Sequence, residues 1–280
     1  QDEQLSRCYT GLACLLNCQA SEIAVVQSAT IAWQAAFYGI CFQPGDRIIT
    51  SHVEYASNMI AMLQVCSKTG ATVEYVPADE HGQLDVAALE SMMDSRVKLL
   101  AITHIPTSTG VVNPAAEIGR VARKYGALYL LDACQSVGQM PVDVQEVQCD
   151  FLTATGRKYL RAPRGTGMLY VRAATMGEPG MLDNWGARWS SADEYTLVPS
   201  ARRYETYEIS FAAKAGLAVA VDYTLQIGVS RIWDRVWFLA EALRAKLRQI
   251  EGVEVHDRGR LKCGIVGFTM DRWGCDDVKI

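Results

Sequence analysis

Short apolar runs alternate with helix-compatible segments along the first two thirds of the chain. Runs of about four to eight apolar residues between turn residues are typical of strands in a sheet that is buried on both faces. Strands are predicted at residues 23–26, 47–50, 71–76, 97–105, 128–131 and 165–171. Between two of them, Ile118, Val121, Ala122 and Tyr125 form one face of a helix. The alternation predicts an α/β fold with a mostly parallel, helix-covered sheet.

The last third of the sequence follows a different pattern. Residues 172–204 contain many Gly, Pro and polar residues and predict a long irregular segment, which in a compact domain is usually functional or mobile. Two long helices and two short strands are then predicted, at residues 206–227, 232–250, 253–255 and 264–270. The pattern is that of a smaller α+β unit that follows the large sheet.

This change of pattern divides the chain into two predicted domains. We expect a large cofactor-binding domain at residues 1–228 and the start of a small C-terminal domain at residues 229–280. The sequence opens at Gln1 without an initiator Met and stops just after a predicted strand. We therefore expect a fragment in which the small domain is incomplete.

Composition narrows the range of functions. The chain has 280 residues and a net charge of −4, so no basic face for nucleic acid or membrane is expected. No apolar run reaches the roughly 18 residues that span a bilayer, and the start does not resemble a signal peptide. The nine cysteines are scattered and lack Cys-x-x-Cys spacing, which predicts reduced thiols, no metal site and a cytoplasmic location.

The strongest candidate chemistry lies at Asp132 and Lys158. Asp132 ends the apolar run 128–131, where a carboxylate needs a partner, and a pyridinium N–H would supply one. Lys158 lies in Thr153–Tyr159, which we interpret as a turn of small and polar residues, with Arg157 beside it. A neighbouring cation and partial burial make a lysine amine more nucleophilic. The alternatives are an exposed loop lysine and an aspartate that caps the next turn.

Other polar residues also follow predicted strands directly. Thr30, Tyr55 and Thr107 do so, as Asp132 and Lys158 do, and ligands of parallel sheets bind beyond the carboxyl ends of the strands. The turn before Thr30 predicts either an anion site at a helix N-terminus or a simple N-cap, and the turn at Thr107 has a purely structural alternative. Gly-x-Gly-x-x-Gly and Walker sequences do not occur, which disfavours dinucleotides and P-loop nucleotides.

Three sequence segments carry a resemblance to a known family: Asp132-Ala-Cys-Gln-Ser, Thr155-Gly-Arg-Lys-Tyr and Pro163-Arg-Gly-Thr-Gly-Met-Leu-Tyr. They resemble the class V aminotransferases, which are fold type I pyridoxal-phosphate enzymes and include cysteine desulfurases, selenocysteine lyases and isopenicillin N epimerase. The resemblance covers about residues 20–270. It implies a fold type I transferase-like architecture, pyridoxal 5′-phosphate as cofactor, an amino-acid substrate and a homodimer with its site at the subunit interface.

The resemblance also implies roles for single residues around the cofactor ring. Lys158 would form the Schiff base and later shuttle the proton. Asp132 would pair with the pyridine nitrogen, and Gln135 would contact the ring oxygen. Tyr55 stands where many members have a histidine that stacks on the ring, and an aromatic side chain suits that role. Thr107 stands where many members have an asparagine that contacts the ring oxygen.

Further residues are implied at the phosphate and at the substrate. The phosphate would be held by Ala29 through its backbone, and by Thr30, Thr155 and Arg157. Arg202 and Arg203 follow the irregular segment, and we expect one of them, Arg203, to bind a substrate carboxylate. The alternative is a pair of surface arginines.

We expect the reaction to be cleavage of a carbon–sulfur bond, as in a cysteine desulfurase or C–S lyase. Transamination and epimerisation by the same family are alternatives, as is a scaffold without catalysis. Desulfurases use a loop cysteine near the C-terminus, and only Cys263 and Cys275 are late in this chain. Neither lies in an obvious mobile-loop sequence, so a protein persulfide is left open.

Overall fold

A computed structural model describes residues 2–271, 273 and 274 of the chain. Its centre is a seven-stranded sheet in the order β1-β7-β6-β5-β4-β2-β3. The strands of this sheet are β1 (Ile23–Val26), β2 (Arg47–Ser51), β3 (Thr72–Val76), β4 (Val97–Thr103), β5 (Leu128–Asp132), β6 (Phe151–Thr155) and β7 (Gly167–Val171). Strands β3, β2, β4, β5 and β6 pair in parallel, and β7 runs antiparallel to both β6 and β1. The predicted α/β class with a mostly parallel sheet is confirmed.

Helices cover both faces of this sheet. The helices of the first two thirds are α1 (Asp2–Leu16), α2 (Ala29–Phe37), α3 (Ala56–Thr69), α4 (Val86–Met92), α5 (Ala115–Tyr125) and α6 (Val144–Val147). Two apolar clusters lie on opposite sides of the sheet, and the central strands contribute alternate residues to each, such as Leu131 and Leu130 of β5. Because both faces are covered, strands such as β5 are apolar at nearly every position.

The polar turn predicted at residues 153–159 is wrong for its first part. Thr153 and Thr155 belong to β6, which is buried along its whole length. Only the residues from Gly156 onward form the turn. Strand pairing with β5 and β7 overrides the weak local preference of small and polar residues, because β6 lies in the interior of the sheet.

The irregular segment at residues 172–204 is only partly irregular. It contains a small antiparallel pair, β8 (Ala187–Trp189) with β9 (Tyr195–Leu197), and a short 3₁₀ helix at Ala201–Tyr204. Both strands are short and largely exposed, so they have no hydrophobic pattern that would predict them. A second 3₁₀ helix lies at Ala173–Thr175, and the helix at Ala201–Tyr204 contacts β1 and α2.

Two long helices and a small sheet complete the chain. They are α7 (Phe211–Ile227), α8 (Val229–Leu247), β10 (Val253–Val255) and β11 (Phe268–Met270), the last two being antiparallel. Helix α7 packs on α1, and Gly228 joins α7 to α8 with φ +88°, a backbone angle that favours glycine. The sharp break at Gly228 agrees with the predicted end of the large domain, and the division at 228/229 stays a prediction. No helix among the described residues has the length and apolar character to cross a bilayer.

Candidate active site

A cavity opens at the carboxyl edge of the parallel strands, with about 610 Å³ of space including its open mouth. Its walls come from the ends of β4, β5 and β6 and from the turns after β1 and β2. The lining residues are Ser28, Ala29, Thr30, Val53, Tyr55, Asn58, Thr103, Ile105, Thr107, Asp132, Cys134, Gln135, Thr155, Arg157 and Lys158. All nine residues predicted to hold the cofactor are among them. Chain segments that are far apart in sequence meet here because parallel strands end at one edge of the sheet.

Asp132 forms the floor of this cavity at the last position of β5 and is 5% exposed. Its Oδ1 accepts a hydrogen bond from the backbone N–H of Cys134 at 2.9 Å, and its Oδ2 accepts one from the Asn58 amide at 2.9 Å. Among the described residues, no cationic side chain forms an ion pair with this carboxylate. A buried carboxylate with two neutral donors and no cation is a ready partner for a cationic group of a ligand.

Lys158 reaches the same cavity from the turn after β6. The turn is held by the N–H of Arg161, which donates to the Lys158 carbonyl at 2.9 Å, and by the N–H of Ala162, which donates to the Gly156 carbonyl at 2.9 Å. The Lys158 side chain is half-buried and makes no hydrogen bond or ion pair within the described part of the chain. An amine held in a cavity without a protein partner is free to react with a ligand.

The cavity has an anion-binding end at the N-terminus of α2. Ser28 caps this helix, since its Oγ accepts from the Ile31 N–H at 3.2 Å, so the N-cap alternative is right for Ser28. Ala29 and Thr30 form the first turn, where free N–H groups and the helix dipole favour an anion. Strand β7 passes so close that a Cβ on Gly167 would lie 2.5 Å from the Ser28 carbonyl carbon. This close approach brings the end of β6 beside the helix N-terminus.

Thr155 and Arg157 lie at this end as well. The Thr155 hydroxyl donates a hydrogen bond to the Thr166 carbonyl at 3.2 Å. In this orientation it can only accept a hydrogen bond from a ligand. The Arg157 side chain is exposed and makes no hydrogen bond to another described residue. An unpaired guanidinium next to a helix N-terminus is well suited to a phosphate group.

Three of the predicted residues line the mouth and walls of the cavity. Tyr55 precedes α3 at its N-cap position and is 42% exposed. Thr107 is exposed in the loop after β4, whereas Gln135 is buried in the turn after β5. The Gln135 backbone carbonyl accepts a hydrogen bond from the Gln139 side-chain amide, which holds the turn that carries Gln135.

Sequence reasoning missed three polar residues of the cavity, Asn58, Thr103 and Cys134. Asn58 lies in the first turn of α3 and touches Asp132 only because α3 packs across β2 and β4. Cys134 lies two residues beyond Asp132, and burial together with the neighbouring Asp132 charge raises the pKa of its thiol well above the usual value. The position of Cys134 next to Asp132 was the one signal that could have found it. Asn58 and Thr103 had no signal of their own.

The structure does not bring Arg202 or Arg203 to the cavity lining. The Arg203 Nε donates to the Val198 carbonyl at 2.8 Å, and its Nη1 donates to the Gly177 carbonyl at 3.1 Å. The Arg202 guanidinium lies over the rings of Tyr9 and Trp185, at 5.0 and 5.2 Å from their centroids. The contacts of both arginines hold the irregular segment in place, and the substrate role of Arg203 stays a prediction.

Of the two late cysteines, Cys263 is not among the residues that line the cavity. Cys263 is fully buried, and burial raises the pKa of its thiol. Cys275 lies outside the described residues. His104, a strand-end residue, is also buried, and burial lowers its pKa to about 4.

The residues present fit pyridoxal phosphate. The cavity combines an anion-binding helix end with an amine and a buried carboxylate that have no ionic partner within the described part of the chain. These match the phosphate, the aldehyde and the pyridine nitrogen of that cofactor in charge and in hydrogen-bonding character. A helix-covered sheet with this set at its carboxyl edge defines the class of fold type I pyridoxal-phosphate enzymes.

Within that class the chain belongs to the Aminotransferase class-V family, whose profile matches residues 2–280. Pyridoxal phosphate is the cofactor of this family. The predicted family, fold class and cofactor are confirmed.

Individual relatives agree with this assignment. The chain is 33% identical over 269 residues to the probable cysteine desulfurase of Methanothermobacter thermautotrophicus. The aligned region covers 95% of this chain and 67% of that protein. It is 29% identical over 243 residues to the cysteine desulfurase of Haloferax volcanii, covering 84% of this chain and 56% of the relative. The apo structure of cysteine desulfurase from Thermococcus onnurineus NA1 matches with a TM-score of 0.90 and 26% identity, over 99% of this chain and 70% of that one. The chain thus spans roughly half to two thirds of the two sequence relatives.

Proposed function

We propose that this chain carries the cofactor site of a pyridoxal-phosphate enzyme that cleaves the carbon–sulfur bond of cysteine or a closely related amino acid. The observation that carries the proposal is the meeting of the unpartnered Lys158 amine and the buried Asp132 carboxylate in one cavity. The names of the relatives, which are cysteine desulfurases, support the choice of reaction.

The cofactor would be held at three points. Ala29, Thr30 and Arg157 would bind its phosphate at the N-terminus of α2, where the dipole and free N–H groups stabilise an anion. Thr155 would join them by turning its hydroxyl from the Thr166 carbonyl to the phosphate. The Asp132 carboxylate would accept a hydrogen bond from the protonated ring nitrogen and form an ion pair with it. Burial of Asp132 strengthens the attraction between the two charges. The remaining polar contacts to the ring would come from Tyr55, Thr107 and Gln135.

When bound, pyridoxal phosphate supplies an aldehyde that condenses with amines and a protonated ring that accepts an electron pair from the substrate α-carbon. Lys158 is the amine of the chain at this cavity. Its Nζ would take the proton from the substrate α-carbon and return it at the end of the cycle, which is general acid–base chemistry. The apolar side chains of Val53 and Ile105 in the lining would limit the access of water to these atoms.

The fate of the sulfur distinguishes a desulfurase from a lyase. In a desulfurase a protein thiolate receives the sulfur, and a thiolate forms readily only where the thiol pKa is low. Cys134 lines the cavity, but its thiol pKa is raised by burial and by Asp132. Cys134 is therefore a poor sulfur acceptor, which favours release of the sulfur as sulfide over its transfer to this cysteine of the cavity lining.

Transamination or epimerisation by the same family is the second candidate. Both use the Lys158 proton transfer and the Asp132 ion pair, so the cavity floor supports them equally. A scaffold without catalysis is less well supported, because Lys158, Asp132 and Gln135 all line one cavity.

The assembly and location of the protein are part of the same proposal. A homodimer with the site at its interface agrees with the exposure of Tyr55, Thr107 and Arg157 at the cavity. A cytoplasmic location agrees with the free thiols of all eight described cysteines. Light scattering at several protein concentrations measures the mass in solution. A monomer at every concentration would contradict the dimer.

The test of the proposed function is a visible spectrum of the protein with pyridoxal phosphate, before and after borohydride reduction, followed by peptide mapping. We expect a visible band in the wild type and attachment of the reduced cofactor to Lys158. Lys158→Ala is the control and should give no attached cofactor. Incubation with cysteine should then release sulfide or a persulfide. A wild-type protein that neither gains the band nor becomes labelled would rule the enzyme out, and turnover of other amino acids alone would favour the second candidate.

A further inference from the structure

Behind the cavity floor lies Glu54, a partly buried carboxyl that is not among the lining residues. It precedes α3 and is turned inward by three donors on its Oε1. The donors are the Tyr55 N–H at 2.8 Å, the Asn58 amide at 2.9 Å and the Thr103 hydroxyl at 2.5 Å. A side chain with donors from a helix N-terminus and from β4 is held in one orientation.

Asn58 links this carboxyl to Asp132. Its Nδ2 donates both to Glu54 Oε1 and to Asp132 Oδ2, each at 2.9 Å, and the residue is 1% exposed. A side-chain amide has two N–H donors, and both are used here. Because each neighbour is an acceptor, the two hydrogen bonds together fix the orientation of the Asn58 amide, and Glu54 supplies the one that does not come from Asp132.

Glu54 is a carboxyl that resists ionisation. Burial, and after it the charge of Asp132, raises the pKa of Glu54 to about 7, while the three hydrogen bonds act in the opposite direction. Two carboxylates that share one amide repel each other when both are ionised. Below neutral pH Glu54 is therefore mainly protonated, which removes this repulsion from Asp132.

We propose that Glu54 is a positioning residue, which acts through the Asn58 amide to hold the Asp132 carboxylate in the orientation that binds the cofactor's ring nitrogen. This inference rests on the proposed function and adds to it a residue that does not touch the cofactor. Thr103 completes the set, since its hydroxyl on β4 fixes the same Glu54 oxygen.

The test is a double-mutant cycle on the dissociation constant for pyridoxal phosphate, with Glu54→Ala, Asn58→Ala and the double variant. Loss of a buried hydrogen bond to a charged group should weaken binding by about tenfold or more in each single variant. If Glu54 acts through Asn58, the double variant should bind no more weakly than Asn58→Ala alone. Additive losses would overturn the inference, because they would mean two independent contributions.

Glu54→Gln separates positioning from general stability. Glutamine keeps an acceptor oxygen and is neutral, so binding and the visible band should stay within about twofold of the wild type, whereas Glu54→Ala should alter both. A loss in Glu54→Gln as large as that in Glu54→Ala would contradict the inference.

Asp85→Ala is the matched control, since Asp85 caps α4 through the N–H groups of Ala87 and Ala88 and does not line the cavity. Asp85→Ala should lower the stability of the protein because α4 loses its N-cap, and it should leave the dissociation constant for pyridoxal phosphate unchanged.

The outcomes for the two proposals can be told apart. Wild-type protein that does not bind pyridoxal phosphate removes the proposed function and this inference together. Wild-type binding with an unchanged Glu54→Ala removes the inference alone. If Glu54→Ala does not fold, Glu54→Gln and infrared difference spectra of the cofactor-free protein still decide. A protonated carboxyl band below neutral pH that is absent in Glu54→Gln supports a neutral Glu54, and its absence in the wild type contradicts it.

Discussion

Two lysines of this chain lie in regions with opposite properties. Lys214, on α7, is 3% exposed, donates to the Tyr9 hydroxyl and lies 3.7 Å from Glu205 Oε2. Lys158 is half-buried at the cavity and has no hydrogen-bonded or ionic partner among the described residues. Both side chains are at least partly buried, but only Lys214 has a hydrogen-bonded and ionic partner among the described residues. The comparison teaches that the lack of a partner, and not burial, distinguishes a reactive lysine from a structural one.

The carboxylates of the two regions differ in the same way. Glu205 is 3% exposed and accepts from Tyr9, from the Val25 N–H at 2.8 Å and from the Trp185 indole at 3.1 Å, with Lys214 close by. Asp132 is equally buried and has two neutral donors but no cation among the described residues. The cluster around Glu205 joins α1, β1 and α7, whereas Asp132 keeps one interaction open for a ligand.

The largest expected effect is the loss of turnover when the reactive lysine, Lys158, is replaced. Lys158→Ala should lower turnover by about a hundredfold or more, since it removes the proton-transfer group, and should abolish attachment of the cofactor. Its free energy of unfolding without cofactor should change by less than about 0.5 kcal/mol, because the side chain has no partner to lose. Steady-state kinetics and urea unfolding measure the two quantities. A strongly destabilised variant would show that Lys158 has a structural role as well.

The next largest effect is the loss of stability when the structural lysine, Lys214, is replaced. Lys214→Met should lower the free energy of unfolding by about 3 kcal/mol, because it leaves Glu205 buried without its cation. Urea unfolding of the cofactor-free protein provides the value. Cofactor binding, measured on the fraction that stays folded, should not change, and a selective loss of binding would contradict the assignment.

A pH dependence sharpens the comparison for the carboxyl groups. Glu54 has its pKa raised to about 7 in the folded protein, above the usual value of an unfolded chain. Such a group stabilises the fold below its unfolded pKa, and this stability is lost as the pH rises through the folded pKa. The stability of Glu54→Gln relative to wild type should therefore increase by up to about 2 kcal/mol from about pH 5 to about pH 8. A flat difference in thermal unfolding over this range would refute the shift.

The smallest effect concerns Arg203. Its guanidinium donates to the backbone carbonyls of Val198 and Gly177, so Arg203→Ala should cost about 1–2 kcal/mol of stability. If these contacts are its whole role, KM for cysteine should stay within about twofold of the wild type. A tenfold rise in KM with unchanged stability would instead support the predicted carboxylate contact.

Much of the site is predictable because local signals mark it. Asp132 ends an apolar strand, so the hydrophobic pattern assigns it to the edge of the sheet. Lys158 is marked by the small and polar residues around it, which predict a turn, although the strand before that turn was missed. Glu54 and Asn58 have no such signal, although they lie close to Tyr55 in the sequence. Their importance depends on hydrogen bonds to Thr103 at the end of β4 and Asp132 at the end of β5, which no local pattern at the start of α3 reveals.

The sequence by itself determined the alternation of strands and helices, the family and the nine cavity residues that were predicted to hold the cofactor. These follow from short-range patterns, since hydrophobic period and turn residues act over a few positions. Only the tertiary structure decided the strand order, the antiparallel β7 and the inclusion of Thr153 and Thr155 in β6. It also decided which lysine is paired, because Lys214 meets Tyr9 and Glu205 only when α1 packs on α7. Such contacts join residues far apart in the chain, and no local pattern encodes them.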